Sequence, residues 1–312
     1  SGTYTETFTI PAITGACATN TITFDGGTGN ASTRVISYSV TSSHGAVITL
    51  NGADYITFKN LTVNSTGTSY GHGFRFTNSA DYNEISDCVI NLPANTTSTY
   101  YIGIVASTTT SYSAAGDFGN FNLIENNTIN GGYYGIRWNG YSSSTDYTTS
   151  QGNQFIGNTV QGWYYAGLYI YRGGSVTVKG NRALQRETGS VYSSGVGFYL
   201  YYLNNGPVVS HNYSKVNYRA YYPYDINRYR ASSANRAKIH NNMGVVSGTS
   251  TVYGMYLYNG SYYDCAYNSI YVKTSSTSSS AYGIYSYTSS ATTYPGNKFA
   301  NNSIMIEGGG TQ

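Results

Sequence analysis

Short segments in which apolar and polar residues alternate recur along the chain at intervals of 23 to 39 residues. In the first recurring pattern, an apolar residue is followed by two residues, an asparagine, one more residue, and a small or apolar residue. Ile124, Asn127 and Ile129 form one copy, whereas two earlier copies, beginning at Phe58 and Ile85, lack the asparagine. Alternation with period two predicts β-strands, and the asparagine predicts a turn. The asparagines of this pattern are Asn127, Asn158, Asn181, Asn212, Asn242, Asn268 and Asn302.

A second pattern, a glycine followed by an apolar residue, alternates with the first. Tyrosine or serine usually precedes the glycine, and Ala220-Tyr221 takes the place of the pattern in one repeat. Each repeat therefore contains at least two short strands, joined by Asn/Gly turns and by Ser/Thr-rich loops of variable length. The glycines of this pattern are Gly73, Gly103, Gly135, Gly167, Gly197, Gly254 and Gly283.

These repeats predict an all-β fold, a right-handed parallel β-helix of about nine or ten rungs. We expect a single solenoid domain over residues 1–312. A repeat has no core by itself, so each strand must pair with its copy in the next repeat to bury its apolar side. Asparagine at the same inward turn is expected to form an amide ladder, and glycine at a fixed turn to permit a backbone bend. A β-sandwich is the main alternative, but it predicts strands every 8 to 12 residues or so without such a ladder.

Neither end of the predicted rod carries a recognisable cap. The chain begins in strand-like sequence and stops just after Ile304-Met305-Ile306. Solenoids protect their open strand edges with caps. The sequence therefore favours either a segment of a longer polypeptide or a subunit that stacks end to end.

The Asn-x-Ile and Gly-Ile rungs resemble the parallel β-helix repeats shared by carbohydrate-binding and sugar-cleaving proteins, over about residues 46–306. The opening of the chain is more specific. Residues 2–6, 9–15 and 20–24 resemble the rung-starting segment of large cell-surface β-helix proteins of Bacteroidetes-type bacteria. This resemblance implies an extracellular location and export by the type IX secretion route, and it implies little chemistry. In that family more sequence precedes this segment and a sorting domain follows the helix.

Composition narrows the class of protein further. Only 9% of residues are charged and 16% are aromatic, with 37 tyrosines and 37 glycines, which excludes a disordered chain. The net charge of +3 indicates no general attraction to nucleic acid or membranes, and no apolar run approaches a span of about 20 residues. Cys88 and Cys265 occupy inward positions and are predicted to be buried and inert, whereas Cys17 lies in a loop.

The residue after each Gly-apolar pair is predicted to point outwards, because alternate residues of a strand face opposite sides. Along the rungs this position is Arg75, Val105 and Arg137, and then tyrosine in five consecutive rungs. The position two residues later is also tyrosine in those five rungs. Such rows stabilise sheets and also form recognition surfaces, so both interpretations stay open. A glycan, another copy of the chain or a surface protein are the candidate partners. The predicted exposed tyrosines are Tyr169, Tyr171, Tyr199, Tyr201, Tyr222, Tyr224, Tyr256, Tyr258, Tyr285 and Tyr287.

A basic region between residues 215 and 240 is the candidate for catalysis. A polysaccharide lyase needs a cation to neutralise a uronate and a base for the neighbouring proton. The residues that would supply them, if one or two rungs bring them to one groove, are Lys215, Arg219, Asp225 and Arg228. The alternative is a solvated loop. The region also contains Tyr224, Arg230, Arg236 and Lys238, and His211 and His240 flank it.

Other chemistry is poorly represented in the sequence. The 13 acidic residues are scattered without an alternating pair on any strand, which weakens a hydrolase assignment. No acidic cluster for calcium and no histidine spacing for another metal occurs, and no cofactor is indicated. The leading hypothesis is a non-catalytic, secreted module for adhesion or surface assembly that uses its tyrosine-rich face for contact. A polysaccharide lyase and a self-assembling filament subunit are the alternatives.

Overall fold

The computed structural model confirms the parallel β-helix that the repeats predict. Each strand pairs in parallel with its copy in the next repeat, as Ile129 does with Val160. Among the described residues the only helix is a 3-10 turn, Ala31–Thr33. That the chain is a segment, or stacks end to end, stays a prediction. The structure describes residues 2–27, 29, 31–42, 45–109, 111–116, 119–140, 150–229, 232–289 and 293–308.

Three parallel sheets, of eleven, ten and ten strands, run along the rod, and the chain visits them in the same order in every rung. The first sheet contains Gly2–Tyr4, Arg34–Tyr38, Thr62–Ser65, Val89–Asn91, Thr128–Asn130, Thr159–Trp163, Arg182–Gln185, Tyr213–Val216, Met243–Gly248, Ser269–Thr274 and Ser303–Glu307. The second contains Phe8–Pro11, Ala46–Asn51, Gly71–Thr77, Tyr101–Ala106, Tyr134–Asn139, Ala166–Gly174, Val196–Asn204, Arg219–Tyr224, Val252–Tyr258 and Ala281–Tyr287. The third contains Ile22–Asp25, Ile56–Lys59, Glu84–Ser86, Leu123–Glu125, Gln154–Ile156, Thr177–Lys179, Val208–Ser210, Ala237–His240, Tyr263–Ala266 and Lys298–Ala300.

The asparagine pattern spans a corner of the rung, so each rung has three strands where the sequence indicated at least two. In one copy Phe155 lies in the third sheet, Asn158 at the corner and Val160 in the first sheet. Both apolar side chains are fully buried. The Gly-apolar pattern then forms the second sheet, in which Leu168 and Ile170 point into the core. One recurring motif therefore encodes two strands and the turn between them.

The seven asparagines form one continuous ladder along this corner. The Oδ1 atom of Asn181 accepts hydrogen bonds from the backbone N–H and the Nδ2 of Asn158, both at 2.9 Å. The Nδ2 of Asn181 in turn donates to the Oδ1 of Asn212 at 3.0 Å. The same bonds repeat from Asn127 to Asn302. Each side chain therefore ties its own rung to the next one through a donor and an acceptor.

The glycines of the second sheet form a column for a reason other than the expected backbone bend. Gly135 does not have a positive φ. A Cβ atom there would lie 1.9 Å from the Cγ1 of Val160 and 2.8 Å from the carbonyl oxygen of Gly167. The Gly197 position is equally crowded, with the Oγ of Ser214 at 1.9 Å from such a Cβ. Glycine is needed because an inward side chain of the first sheet fills the space.

The core adjusts its volume from rung to rung. Tyr221, an inward residue of the second sheet, is fully buried, and its hydroxyl group lies 2.7 Å from the carbonyl oxygen of Asn212. The first sheet has Ser214 and Gly244 at the facing positions, where other rungs have larger residues such as Ile129. Small residues in one sheet therefore make room for the ring from another, which keeps the interior close-packed.

The cysteines lie where the pattern places them. Cys88 and Cys265 are buried, and burial raises the pKa of each thiol to about 12. Cys17 is half-buried at the surface, and a hydrogen bond with Thr19 lowers the pKa of its thiol. Two of the three thiols are therefore held protonated inside the rod.

Candidate functional site

The outer face of the second sheet carries two rows of tyrosine that run along the rod axis. Tyr169 pairs with Tyr199 and Tyr171 with Tyr201, and the register continues through the next rungs. In four of the five strands the residue between them is buried, namely Ile170, Leu200, Pro223 and Leu257, so the tyrosines point away from the core. We call these ten residues the tyrosine face: Tyr169, Tyr199, Tyr222, Tyr256 and Tyr285 in one row, and Tyr171, Tyr201, Tyr224, Tyr258 and Tyr287 in the other.

Five of the eight neighbouring pairs of rings within the rows stack on one another, two are tilted and one is edge-on. The centroids of Tyr222 and Tyr256 are 5.1 Å apart with an interplanar angle of 10°, and those of Tyr224 and Tyr258 are 4.5 Å apart at 11°. Stacked rings cover each other's faces, so they present edges and hydroxyl groups to the outside. Within the stacked pairs the outer surface is therefore a ladder of phenol groups, one rung apart.

The tyrosine face is also less exposed than the alternation predicts. Tyr222 is 8% exposed and Tyr287 is 41% exposed, and the other eight are half-buried. Loop residues such as Tyr112 and Tyr218 pack against the rows and complete a second apolar cluster outside the main core. The sequence contains a signal for most of this cluster, because the residue before each glycine of the second pattern also points outwards. Its buried members are Ile102, Val105, Tyr134, Ala166, Val196 and Tyr222.

Three arginines contact the rings of this face, one of them Arg172, whose guanidinium carbon is 4.5 Å from the Tyr171 ring centroid. The guanidinium carbon of Arg137 is 4.3 Å from the ring centroid of Tyr169, and the side chain is buried. That of Arg219 is 4.3 Å from the Tyr222 ring and 4.5 Å from the Tyr256 ring. Cation–π contacts of this kind stabilise a cation that has left bulk water.

Phenol groups, with an ordinary pKa near 10, are neutral at neutral pH, and burial raises the pKa of several tyrosines of this face further. It raises the pKa of Tyr169 to about 12, although the charge of Arg137 acts in the opposite direction. The pKa values of Tyr199 and Tyr222 are raised further, again mainly by burial. Each hydroxyl group is therefore available both to donate and to accept a hydrogen bond at neutral pH.

The basic region of residues 215–240 does not converge on one groove. Lys215 lies on the first sheet, where it forms an ion pair with Glu187, and Arg219 lies on the second sheet. Arg236 precedes a strand of the third sheet and forms an ion pair with Asp264. Lys238, His240 and His211 also lie on or next to the third sheet, and Arg230 lies outside the described residues. The cations that the lyase hypothesis groups together thus occupy different sides of the rod.

One acid–base pair from that region does come together, at the end of the second sheet. Arg228 donates to the Oδ2 of Asp225 at 3.2 Å. Asp225 is 1% exposed, and burial raises its pKa although Arg228 opposes the shift. Arg219 begins the strand that Tyr224 ends, so the rise of the chain separates Arg219 from Asp225 by about 20 Å. The pair therefore anchors the following loop rather than joining the candidate lyase residues.

A second buried amide ladder lies at the corner between the second and third sheets, and the two sequence patterns did not predict it. The backbone N–H of Asn83 donates to the Oδ1 of Asn122 at 2.9 Å, and the Nδ2 of Asn122 donates to the Oδ1 of Asn153 at 3.1 Å. These residues lie two positions before the apolar residue of each third-sheet strand, at intervals of 39 and 31 residues. That recurrence is visible in the sequence, although it involves only these rungs.

Metal-binding clusters are not found in the part of the chain that the structure describes. No group of three or more His, Cys, Asp or Glu side chains there is arranged to hold a metal ion. The helices of the same part include none that is long and apolar enough to cross a membrane. The tyrosine face is therefore the most extensive candidate site.

Comparison with known proteins supports the fold. No protein-family model matches the chain, and no curated protein matches it. Among solved structures, the GH136 lacto-N-biosidase from Eubacterium ramulus superimposes with a TM-score of 0.55 at 10% identity, over 98% of this chain. The chain spans 61% of the length of that enzyme. A mannuronic acid specific polysaccharide family 6 lyase from human gut microbiota has 13% identity over 98% of this chain and 84% of its own. Its TM-score is 0.36, below the value of about 0.5 that indicates a shared fold.

Proposed function

We propose that the protein is an extracellular, non-catalytic β-helix module that binds an extended glycan along the tyrosine face, in adhesion or assembly at a cell surface. The observation that carries this proposal is the double row of phenol groups repeated over five successive rungs. Hydroxyl groups that donate and accept suit the hydroxyl-rich edge of a sugar chain. A polymer whose units advance by a similar step would meet equivalent contacts along the rod.

The outer apolar cluster supports a surface built for contact. Ring stacking and the packing of Tyr112 and Tyr218 hold the tyrosines in fixed positions, which lowers the entropic cost of binding. The GH136 lacto-N-biosidase, by its name, acts on a glycan and is built on a similar fold, which agrees with a glycan as ligand. The extracellular location rests on composition and on the resemblance to cell-surface β-helix proteins.

The lyase hypothesis receives less support from the geometry. Lys215 and Arg228 each have a carboxylate partner, and Arg219 is surrounded by tyrosine rings. The three cations lie on different parts of the rung, which does not support neutralisation of one uronate by all of them. The proposed role is therefore binding without bond cleavage.

Removal of hydroxyl groups without removal of rings tests the proposal. The variant with Tyr201→Phe, Tyr224→Phe and Tyr258→Phe keeps the stacked row but loses three donors. We expect its dissociation constant for a bound polysaccharide, measured by titration calorimetry over a panel of plant, algal and host glycans, to rise at least about tenfold. Unsaturated products should not appear in these mixtures.

The matched control places the same changes away from the tyrosine face. Tyr55 and Tyr82 stack at 4.9 Å in a turn before the third sheet, and Tyr267 is 59% exposed in another turn. The triple Phe variant of these residues should bind like the unmodified chain. Equal binding by both triple variants, or no binding of any glycan by the unmodified chain, would refute the proposal.

A further inference from the structure

We infer that the glycan bound by the tyrosine face is anionic, that Arg219 binds its carboxylate or sulfate groups, and that the buried charge of Arg137 adds to the positive potential of the face. This inference rests on the proposed function and adds the chemical class of the ligand.

Arg219 has unused hydrogen-bonding capacity in the middle of the face. Its guanidinium carbon lies within 5.2 Å of four tyrosine ring centroids, but its one hydrogen bond to a described residue joins Nη2 to the hydroxyl oxygen of Tyr218 at 2.7 Å. Its Nε is buried and has no acceptor among the described residues. Guanidinium groups have five N–H donors, so most of the donors of Arg219 remain available to a ligand.

Arg137 lies three rungs away and, unlike the half-buried Arg219, is buried among rings. Its guanidinium carbon lies between the rings of Tyr112, Tyr134 and Tyr169, and its Nε donates to the Oδ1 of Asn139 at 3.1 Å. No carboxylate of the described residues forms an ion pair with it. Three rungs correspond to about 14 Å along the rod, a separation that charged units of one polymer can bridge.

No acidic side chain of the described residues forms an ion pair with Arg137 or Arg219. Every cation of the five ion pairs lies elsewhere, and these cations are Lys59, Lys215, Arg228, Arg236 and Lys273. Arg75, in the same outward row as Arg137, follows the trend. Its Nε is buried without an acceptor among described residues, and burial alone lowers its pKa.

An anionic ligand suits a guanidinium group that is surrounded by tyrosine rings. A cation removed from water loses hydration that ring faces replace only in part, because they accept no full set of hydrogen bonds. A carboxylate or sulfate supplies both the opposite charge and the acceptors, and such charge-assisted bonds are the strong ones. A repeating polymer is favoured over an acidic protein because the phenol groups recur at every rung between the two arginines.

Polymers that share a backbone but differ in charge provide the test. We would measure binding to polygalacturonate and its methyl ester, and to dextran sulfate and dextran. The anionic member of at least one pair should bind at least about tenfold more tightly, and its affinity should fall as salt is added. The pair that responds distinguishes carboxylate from sulfate.

Single substitutions then assign the effect to the arginines. Arg219→Gln should weaken binding of the anionic polymer about tenfold and leave any neutral binding unchanged, whereas Arg219→Lys should restore part of it. Arg182→Gln is the control, because Arg182 contacts the Tyr213 ring at 4.8 Å but belongs to the first sheet. Melting temperatures of all variants identify any loss of folding, and Arg219→Lys retains the charge if Arg219→Gln does not fold.

Three outcomes would overturn the inference. Equal affinity for both members of each pair would leave glycan binding intact and reject the role of charge. Binding of polyglutamate as tightly as the anionic glycan would point to an acidic protein as partner. Failure to bind any polymer would reject the proposed function as well.

Discussion

Single side chains set the corner of each rung, and asparagine is suited to this position because its amide carries a donor and an acceptor a short distance from the backbone. Aspartate lacks the donor, and an aliphatic residue lacks both. The Oδ1 of Asn127 accepts from the backbone N–H of Cys88 at 3.0 Å, so the ladder begins where the asparagine pattern begins. A second type of amide row lies on the surface, where Asn91 donates to Asn64 at 2.8 Å. The two rows make similar bonds in different surroundings.

This difference in surroundings predicts different costs for the same substitution. Asn181→Ala leaves buried amide and carbonyl groups of three rungs without partners, so the free energy of unfolding should fall by about 3 kcal/mol. Asn91→Ala should lower it by less than about 1 kcal/mol, because water can replace the lost bonds of a half-buried side chain. Denaturant unfolding of both variants measures the difference. Equal losses would mean that burial does not govern the ladder's contribution.

The strands of the second sheet show how one element serves two apolar environments. Inward residues such as Leu168 contribute to the main core, while outward ones such as Tyr199 stack above the sheet. The glycines of this sheet have no Cβ, and inward side chains of the first sheet fill the space that a Cβ would take. Ala220 takes the glycine position in the rung where Ser214 and Gly244 are the facing residues. Tolerance of a Cβ therefore depends on the size of the facing residue.

Opposite changes in this column test that dependence. Gly135→Ala places a Cβ against Val160 and should lower the free energy of unfolding by about 2 kcal/mol or more, as overpacking does. Ala220→Gly removes a methyl group where space exists and should cost about 1 kcal/mol. Thermal and denaturant unfolding give both values. A neutral Gly135→Ala would show that the first sheet can move outwards freely.

For the whole molecule, the outer tyrosine cluster couples stability to alkaline pH. Burial raises the pKa of Tyr133 and of Tyr169 to about 12 from an ordinary value of 10.0, and raises that of several neighbours as well. The folded chain thus holds these protons more tightly than the unfolded chain. The associated stability is complete below about pH 10 and is lost as pH rises towards the folded-state values.

We therefore expect cooperative alkaline unfolding, with phenolate absorbance and loss of the β-sheet circular dichroism signal changing together above pH 10. The double variant Tyr133→Phe and Tyr169→Phe should unfold at higher pH, because two phenols that resist ionisation are gone. Tyr267→Phe, at a 59% exposed position, serves as the control and should not shift the transition. Ionisation of most tyrosines near their ordinary pKa without loss of structure would contradict the expectation.

The sequence by itself determined the winding of the chain and the identity of its repeated positions. Asn158, Asn181 and Asn212 recur because each must meet its copy in the next rung, and a requirement repeated along the axis is visible as periodicity. Outward orientation of Tyr169 and Tyr199 follows from the same alternation.

Only the tertiary structure decided how exposed the tyrosines are and which charges meet. Stacking of rings along the axis, coverage by Tyr112 and Tyr218, and the separation of Lys215 from Arg219 depend on loops whose lengths vary between rungs. Periodicity carries no information about such loops. Contacts between them and the sheets arise only when the whole rung closes in space, which is why burial and charge pairing could not be derived from the pattern.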